Sequence, residues 1–236
     1  MKKLIFLFSF LSVCFCLKAE EKQGPALHFS GDFVSSYTWR GLYMSPAAIQ
    51  PSIEFEAGNF TIEAWGSVSF NGEDKEVDLT ASYALGNFVF SVTDMWWSTQ
   101  DSEIKYFNYN SHETEHTFEG SVAYTLPCER FPLSLSWSTI FAGMDKKADG
   151  KQAYASYVEL SYPFNIKNTE LEAICGFTPY KAEMQYETSG FAFTNLALRA
   201  TREIRLSSSF TLPLFAELAV NPALEDVHFV IGFTLR

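Results

Sequence analysis

Past its first 17 residues the chain has no long apolar run. The longest uncharged stretch there, from Leu79 to Thr93, is broken by Gly86-Asn87. It falls short of the roughly 20 apolar residues that a helix needs to cross a bilayer, so transmembrane helices are excluded. Basic residues are also scarce, with 17 Lys and Arg against 28 Asp and Glu. Nucleic acid is therefore not an expected partner, because phosphate binding needs clustered positive charge. Of four cysteines, Cys14 and Cys16 fall in the apolar leader and only Cys128 and Cys175 lie beyond it. Two positions so far apart form no metal-binding pair, and sequence alone does not show that they meet in a disulfide. No Pro-, Ser- or Gly-rich linker divides the chain, which reads as one domain. No pattern calls for a cofactor.

The leader has three parts. Lys2 and Lys3 precede the apolar run from Leu4 to Leu17, and small Ala19 closes the segment before Glu20. That is the layout of a secretory signal, so residues 1–19 are expected to be a cleaved signal peptide and residues 20–236 the mature domain. Lipidation at Cys14 or Cys16 is disfavoured by bulky Val13 and Phe15 just before them. The leader holds Lys2, Lys3 and Lys18, which leaves 14 basic side chains against 28 acidic ones in the remainder.

What the chain does have is alternation. At the C-terminus Val227, Phe229, Ile231, Phe233 and Leu235 alternate with His228, Val230, Gly232, Thr234 and Arg236. Leu27, Phe29, Phe33, Tyr37 and Trp39 alternate with more polar neighbours near the start, and Val77, Leu79, Ala81, Tyr83 and Leu85 do so further on. A period of two is the strand period, with one face apolar and the other wet. Collecting such segments predicts about 12 strands, beginning near Leu27, Gln50, Asn59, Glu76, Asn87, His116, Phe131, Gln152, Thr169, Phe191, Phe210 and Val227. The apolar parity shifts between Phe193 and Leu196, which calls for a β-bulge. Short connections, such as Gly58-Asn59 and Gly86-Asn87, alternate with longer polar ones at 42–49, 71–75, 98–115, 143–151 and 178–190. Aromatic residues make up 17% of the chain and recur near predicted strand ends, with Trp39, Phe70, Trp96, Tyr124, Phe131 and Phe141 as candidates for an interfacial girdle. A soluble sandwich also alternates, but these features together favour an antiparallel transmembrane β-barrel with short periplasmic turns and longer extracellular loops. The expected location is the outer membrane of a Gram-negative bacterium, with lipid as the partner of the outer face.

If the apolar faces meet lipid, the intervening residues face a lumen. They include Asp32, Glu54, Glu63, Asp78, Glu119, Glu159, Glu172 and Glu217, against which stand Arg40, Arg199 and Arg205. Acidic side chains in a low-dielectric wall concentrate cations, so passive diffusion of small polar, cationic solutes is the expected function. Trp65, Tyr157 and Phe215 fall on the inner face and would narrow the passage, and a sealed or surface-interaction barrel is the alternative. His112-Glu113-Thr114-Glu115-His116 fits the zinc-protease pattern, but that chemistry needs a helix to bring both imidazoles to one metal. In extended chain they sit about 13 Å apart. No Ser and His spacing marks a membrane-embedded hydrolase, so the chain is not expected to be an enzyme.

One stretch carries more than a pattern. Ser35-Ser36-Tyr37-Thr38-Trp39-Arg40-Gly41, then Gln50-Pro51, Asn59 to Ser67 with its Trp65-Gly66-Ser67, and Glu76-Val77-Asp78 together resemble the amino-terminal part of the TorF-type porins. The resemblance covers roughly the first third of the chain and implies an outer-membrane barrel. It places Tyr37, Trp39, Arg40, Gly41, Trp65 and Asp78 among characteristic positions without giving them chemistry. Arg40, where the first strand meets the first loop, is expected to set selectivity or to pair with Asp78 or Glu63.

Overall fold

In a computed structural model, residues 24–98, 105–110 and 113–236 are described. The leader at 1–19 and His112 lie outside them. Twelve strands close into one antiparallel barrel: β1 (Ala26–Trp39), β2 (Leu42–Ala57), β3 (Phe60–Ser69), β4 (Lys75–Leu85), β5 (Phe88–Ser98), β6 (His116–Thr125), β7 (Ser134–Gly143), β8 (Ser156–Ile166), β9 (Thr169–Thr178), β10 (Ala192–Arg205), β11 (Thr211–Asn221) and β12 (Asp226–Leu235). Each strand pairs with its sequence neighbours, and β1 meets β12 through Gly31↔Leu235 to Val34↔Gly232, so no edge is left unpaired. One short helix, α1 (Glu183–Tyr186), lies in the β9–β10 connection. No described helix is long and apolar enough to cross a membrane.

The alternation turns apolar side chains outward. Leu79, Tyr83 and Leu85 on β4, Phe88, Phe90 and Val92 on β5 and Val227, Phe229 and Ile231 on β12 are all exposed, while Asp78, Thr93 and Val230 between them are buried. So large an apolar exterior is untenable in water and is the lipid-facing surface of a transmembrane barrel. Phe70, Trp96 and Phe141 lie towards one end of the barrel and Tyr124 and Phe131 at the other. Tyr124 packs on Phe88, with ring centroids 4.7 Å apart. The register shift between Phe193 and Asn195 is the bulge that the parity of β10 requires.

Two expectations fail at the same place. Residues 42–49 are not a long loop but the first half of β2, paired back to Trp39↔Leu42, and only Arg40 and Gly41 form the turn. Trp39 is not a girdle residue; it is buried, as is Tyr37. The ladder to β12 ends at Val34, Ser35 Oγ accepts the Ile231 N–H at 2.9 Å, and the β1–β2 register slips between Tyr37 and Thr38. Val34 and Tyr37, three residues apart, are both buried, so the parity of β1 breaks where its ladder to β12 ends and rings expected to face lipid end up inside. Small and polar Ser45, Pro46, Ala47 and Ala48 interrupt the apolar period here, so the segment reads as a loop.

The lumen and its Arg40 layer

The tip of the β1–β2 hairpin folds against β10 and the end of β11. Arg40 and Gly41 both have positive φ, 52° and 82°, as a two-residue hairpin turn of the tightest kind requires. A Cβ on Gly41 would lie 1.9 Å from the Thr194 carbonyl oxygen on β10, so only glycine permits this approach. Asn221 at the end of β11 donates from Nδ2 to the Gly41 carbonyl at 3.1 Å. Arginine gains nothing from a left-handed backbone, and its position there is held by its side chain.

That side chain is almost fully buried and crosses the lumen. Its two terminal nitrogens donate to both carboxylate oxygens of Glu119 on β6, at 2.7 and 2.8 Å, in the bidentate geometry that suits guanidinium. Further donations reach the Tyr186 hydroxyl at 2.5 Å and Ser138 Oγ at 3.2 Å. The guanidinium also lies over the Trp39 ring at 4.5 Å and the Tyr157 ring at 4.6 Å, a cation between two π faces. Tyr186, from α1, stacks on Trp39 at 5.6 Å and on Tyr157 at 5.7 Å. Its phenol is pushed up by burial and so stays neutral beside Arg40. Tyr157 in turn donates to Glu159 at 2.6 Å and receives Asn195 Nδ2 at 3.4 Å. A Cβ on Gly176 would meet the Tyr157 hydroxyl at 1.9 Å, so a glycine on β9 makes room for this ring. Residues from β1, β6, β7, β8 and the β9–β10 connection thus form a continuous layer across the loop-side half of the barrel.

Of the lumen residues anticipated from alternation, Arg40 and Glu119 are brought together, and neither Asp78 nor Glu63 is the partner of Arg40. Arg199 on β10 faces Glu217 at 3.4 Å, lies over the Phe215 ring at 3.8 Å and is registered opposite Glu172 on β9. Asp32 accepts from the Thr234 hydroxyl across the β1–β12 seam. Trp65 is half-buried 5.6 Å from Tyr37, whereas Tyr157 and Phe215 are buried, so the inner aromatics do narrow the interior. Towards the short-turn end, Glu54 and Glu63 are directly cross-strand and half-buried, which makes that half wetter and acidic. There His28, Glu54 and Glu56 each bring one ligand atom to within 4.8 Å of the others, the described group that could hold a metal ion. Sequence reasoning passed over Tyr186, Ser138, Asn195 and Glu76. Glu76 shares the parity of Asp78 and was legible on that ground, whereas Tyr186 sits in a loop with no period to mark it.

His116 is removed from metal chemistry by its own contacts. It is fully buried, with Nδ1 2.6 Å from Asp94 Oδ1 and Nε2 2.5 Å from the Tyr106 carbonyl oxygen, and Tyr109 stacks on it at 4.1 Å. Both ring nitrogens are occupied in pinning the β5–β6 loop to the wall, and the residue stands on a strand. Cys128 and Cys175 are both free thiols, so no disulfide joins them.

No family model matches the chain, and no curated protein matches it. Among solved structures, one described as a bacterial polysaccharide outer membrane secretin matches over 92% of this chain and 99% of that one, at 9% sequence identity and a TM-score of 0.40.

Proposed function

We propose that the protein is an outer-membrane barrel of porin type that admits small cationic solutes to an acidic lumen and is closed at rest by the Arg40 layer. The TorF-type resemblance around Tyr37 to Asp78 and the export leader belong to the same reading, which takes the wall residues as conducting and not catalytic. The observation that carries it is the charge imbalance of the interior. Asp32, Glu54, Glu63, Glu76, Asp78, Glu119, Glu159, Glu172 and Glu217 face inward from eight of the twelve strands, and Arg40 and Arg199 are the arginines paired among them. In a wall of low dielectric such an excess attracts cations and repels anions. Burial of Arg40, Trp39, Tyr157 and Tyr186 favours a second reading, a barrel that does not conduct and displays its loops.

Planar-bilayer recording of refolded protein tests the two. The first predicts small or infrequent cation-selective openings that become larger or more frequent in Arg40→Ala. Silence from both proteins would leave the non-conducting barrel, and anion preference would refute the role given to the acidic wall.

A further inference from the structure

At the loop-side mouth, a cavity of about 60 Å³ opens between the inner faces of β1 to β5, lined among others by Tyr37, Met44, Ser67, Glu76 and Trp97. We propose that this cavity binds a small organic ammonium ion. The inference rests on the cation-admitting lumen proposed above and names the class of its solute.

Its walls combine two features that such an ion needs. The first is a buried carboxyl group without a basic partner. Glu76 is buried beside the Tyr37 phenol, and among the described residues it has no ion pair with Lys, Arg or His. Asp78, two residues along on the same face, is also buried, and its Oδ1 has no hydrogen-bond partner. Glu76, Glu119, Asp94 and Glu63 are acidic groups around it. Lys75 touches the cavity rim but alternates with Glu76 and is exposed. Buried carboxylates without a counter-charge are costly, and a bound cation removes that cost.

The second feature is an aromatic and thioether wall. Tyr37 and Trp97 present rings, Trp65 packs 5.6 Å from Tyr37, and Met44 adds polarizable sulfur. Ring faces beside a carboxylate recognise alkylammonium groups, whose charge is spread over carbon-bound hydrogens and which shed water easily. A hard metal ion gains little from ring faces and thioether sulfur, whereas an alkylammonium ion is favoured by both.

The test is isothermal titration calorimetry of the full chain folded in detergent, with tetramethylammonium chloride as probe and sodium chloride at the same concentrations as control. Saturable binding of tetramethylammonium, with none for sodium, is expected. Glu76→Gln and Trp97→Leu should each weaken it at least tenfold while keeping the heat-modifiable gel migration of a folded barrel. Quenching of tryptophan fluorescence in the unmodified protein, saturating with tetramethylammonium only, gives the same answer should a variant misfold. No saturation, an equal response to sodium, or undiminished affinity in Glu76→Gln overturns the site. Binding in detergent needs no conduction, so saturation beside a silent bilayer would refute the channel and keep the site.

Discussion

Removing Arg40 should cost more than removing any other single side chain of the lumen. Arg40→Met keeps the apolar stem between Trp39 and Tyr157 but strands Glu119, whose side chain is 3% exposed and whose remaining described partner is Ser121 Oγ at 3.2 Å. Breaking a buried pair on one side costs about 3–5 kcal/mol, most of it the unpaired charge left behind. Glu119→Gln leaves Arg40 its contacts to Tyr186, Ser138 and two rings, so about 2–3 kcal/mol is expected, the scale of a lost charge-assisted hydrogen bond. The double variant removes the stranded charge and should recover about 2 kcal/mol relative to the sum of the two, a coupling within the usual range for residues in contact. Urea unfolding in lipid vesicles, followed by tryptophan fluorescence, measures all four corners of the cycle. A coupling below about 0.5 kcal/mol would refute the claim that Arg40 and Glu119 hold the layer together.

Gly41→Ala must move the hairpin tip, because its Cβ would overlap the Thr194 carbonyl; a loss of about 1–3 kcal/mol and faster amide exchange at Thr38 to Tyr43 are expected, and unchanged exchange would contradict the packing described. Phe90→Arg on the outer face should destabilise the barrel by about 2–4 kcal/mol in vesicles if it lies near the bilayer midplane, and a neutral result would show that β5 does not face lipid. His116→Ala releases the clasp on Asp94 and Tyr106, so limited proteolysis should cut between Lys105 and Asn110 at lower protease concentration than in the parent, and equal resistance would refute the clasp. Asp145 in the β7–β8 connection accepts the Ala155 N–H at 2.8 Å, and burial raises its carboxyl above the usual range. Its folded value thus exceeds its unfolded one, so ionisation weakens this connection as pH rises through the usual carboxylate range. Amide exchange there should quicken with pH beyond the intrinsic rate in the parent but not in Asp145→Asn.

Alternation alone determined the architecture. A period of two turns apolar residues such as Leu79, Tyr83 and Phe229 outward and Asp78, Glu119 and Glu217 inward on every strand whose register runs unbroken, and the turn signals between them set the number of strands at twelve. The bulge in β10 was legible for the same reason, because a parity break is itself written in the order of residues. The period fixes faces, however, and not partners. Arg40 finds Glu119 across 79 positions and Tyr186 across 146, and which inner residues meet depends on closure of the barrel, on strand stagger and on two connections folding inward. Trp39 turns from the lipid face to the stack with Tyr186 because the parity of β1 breaks between Val34 and Tyr37, where its ladder to β12 ends. The inward-facing acidic residues were thus a property of the sequence, whereas the Arg40 layer exists only in the tertiary structure, where groups remote in the chain are brought together.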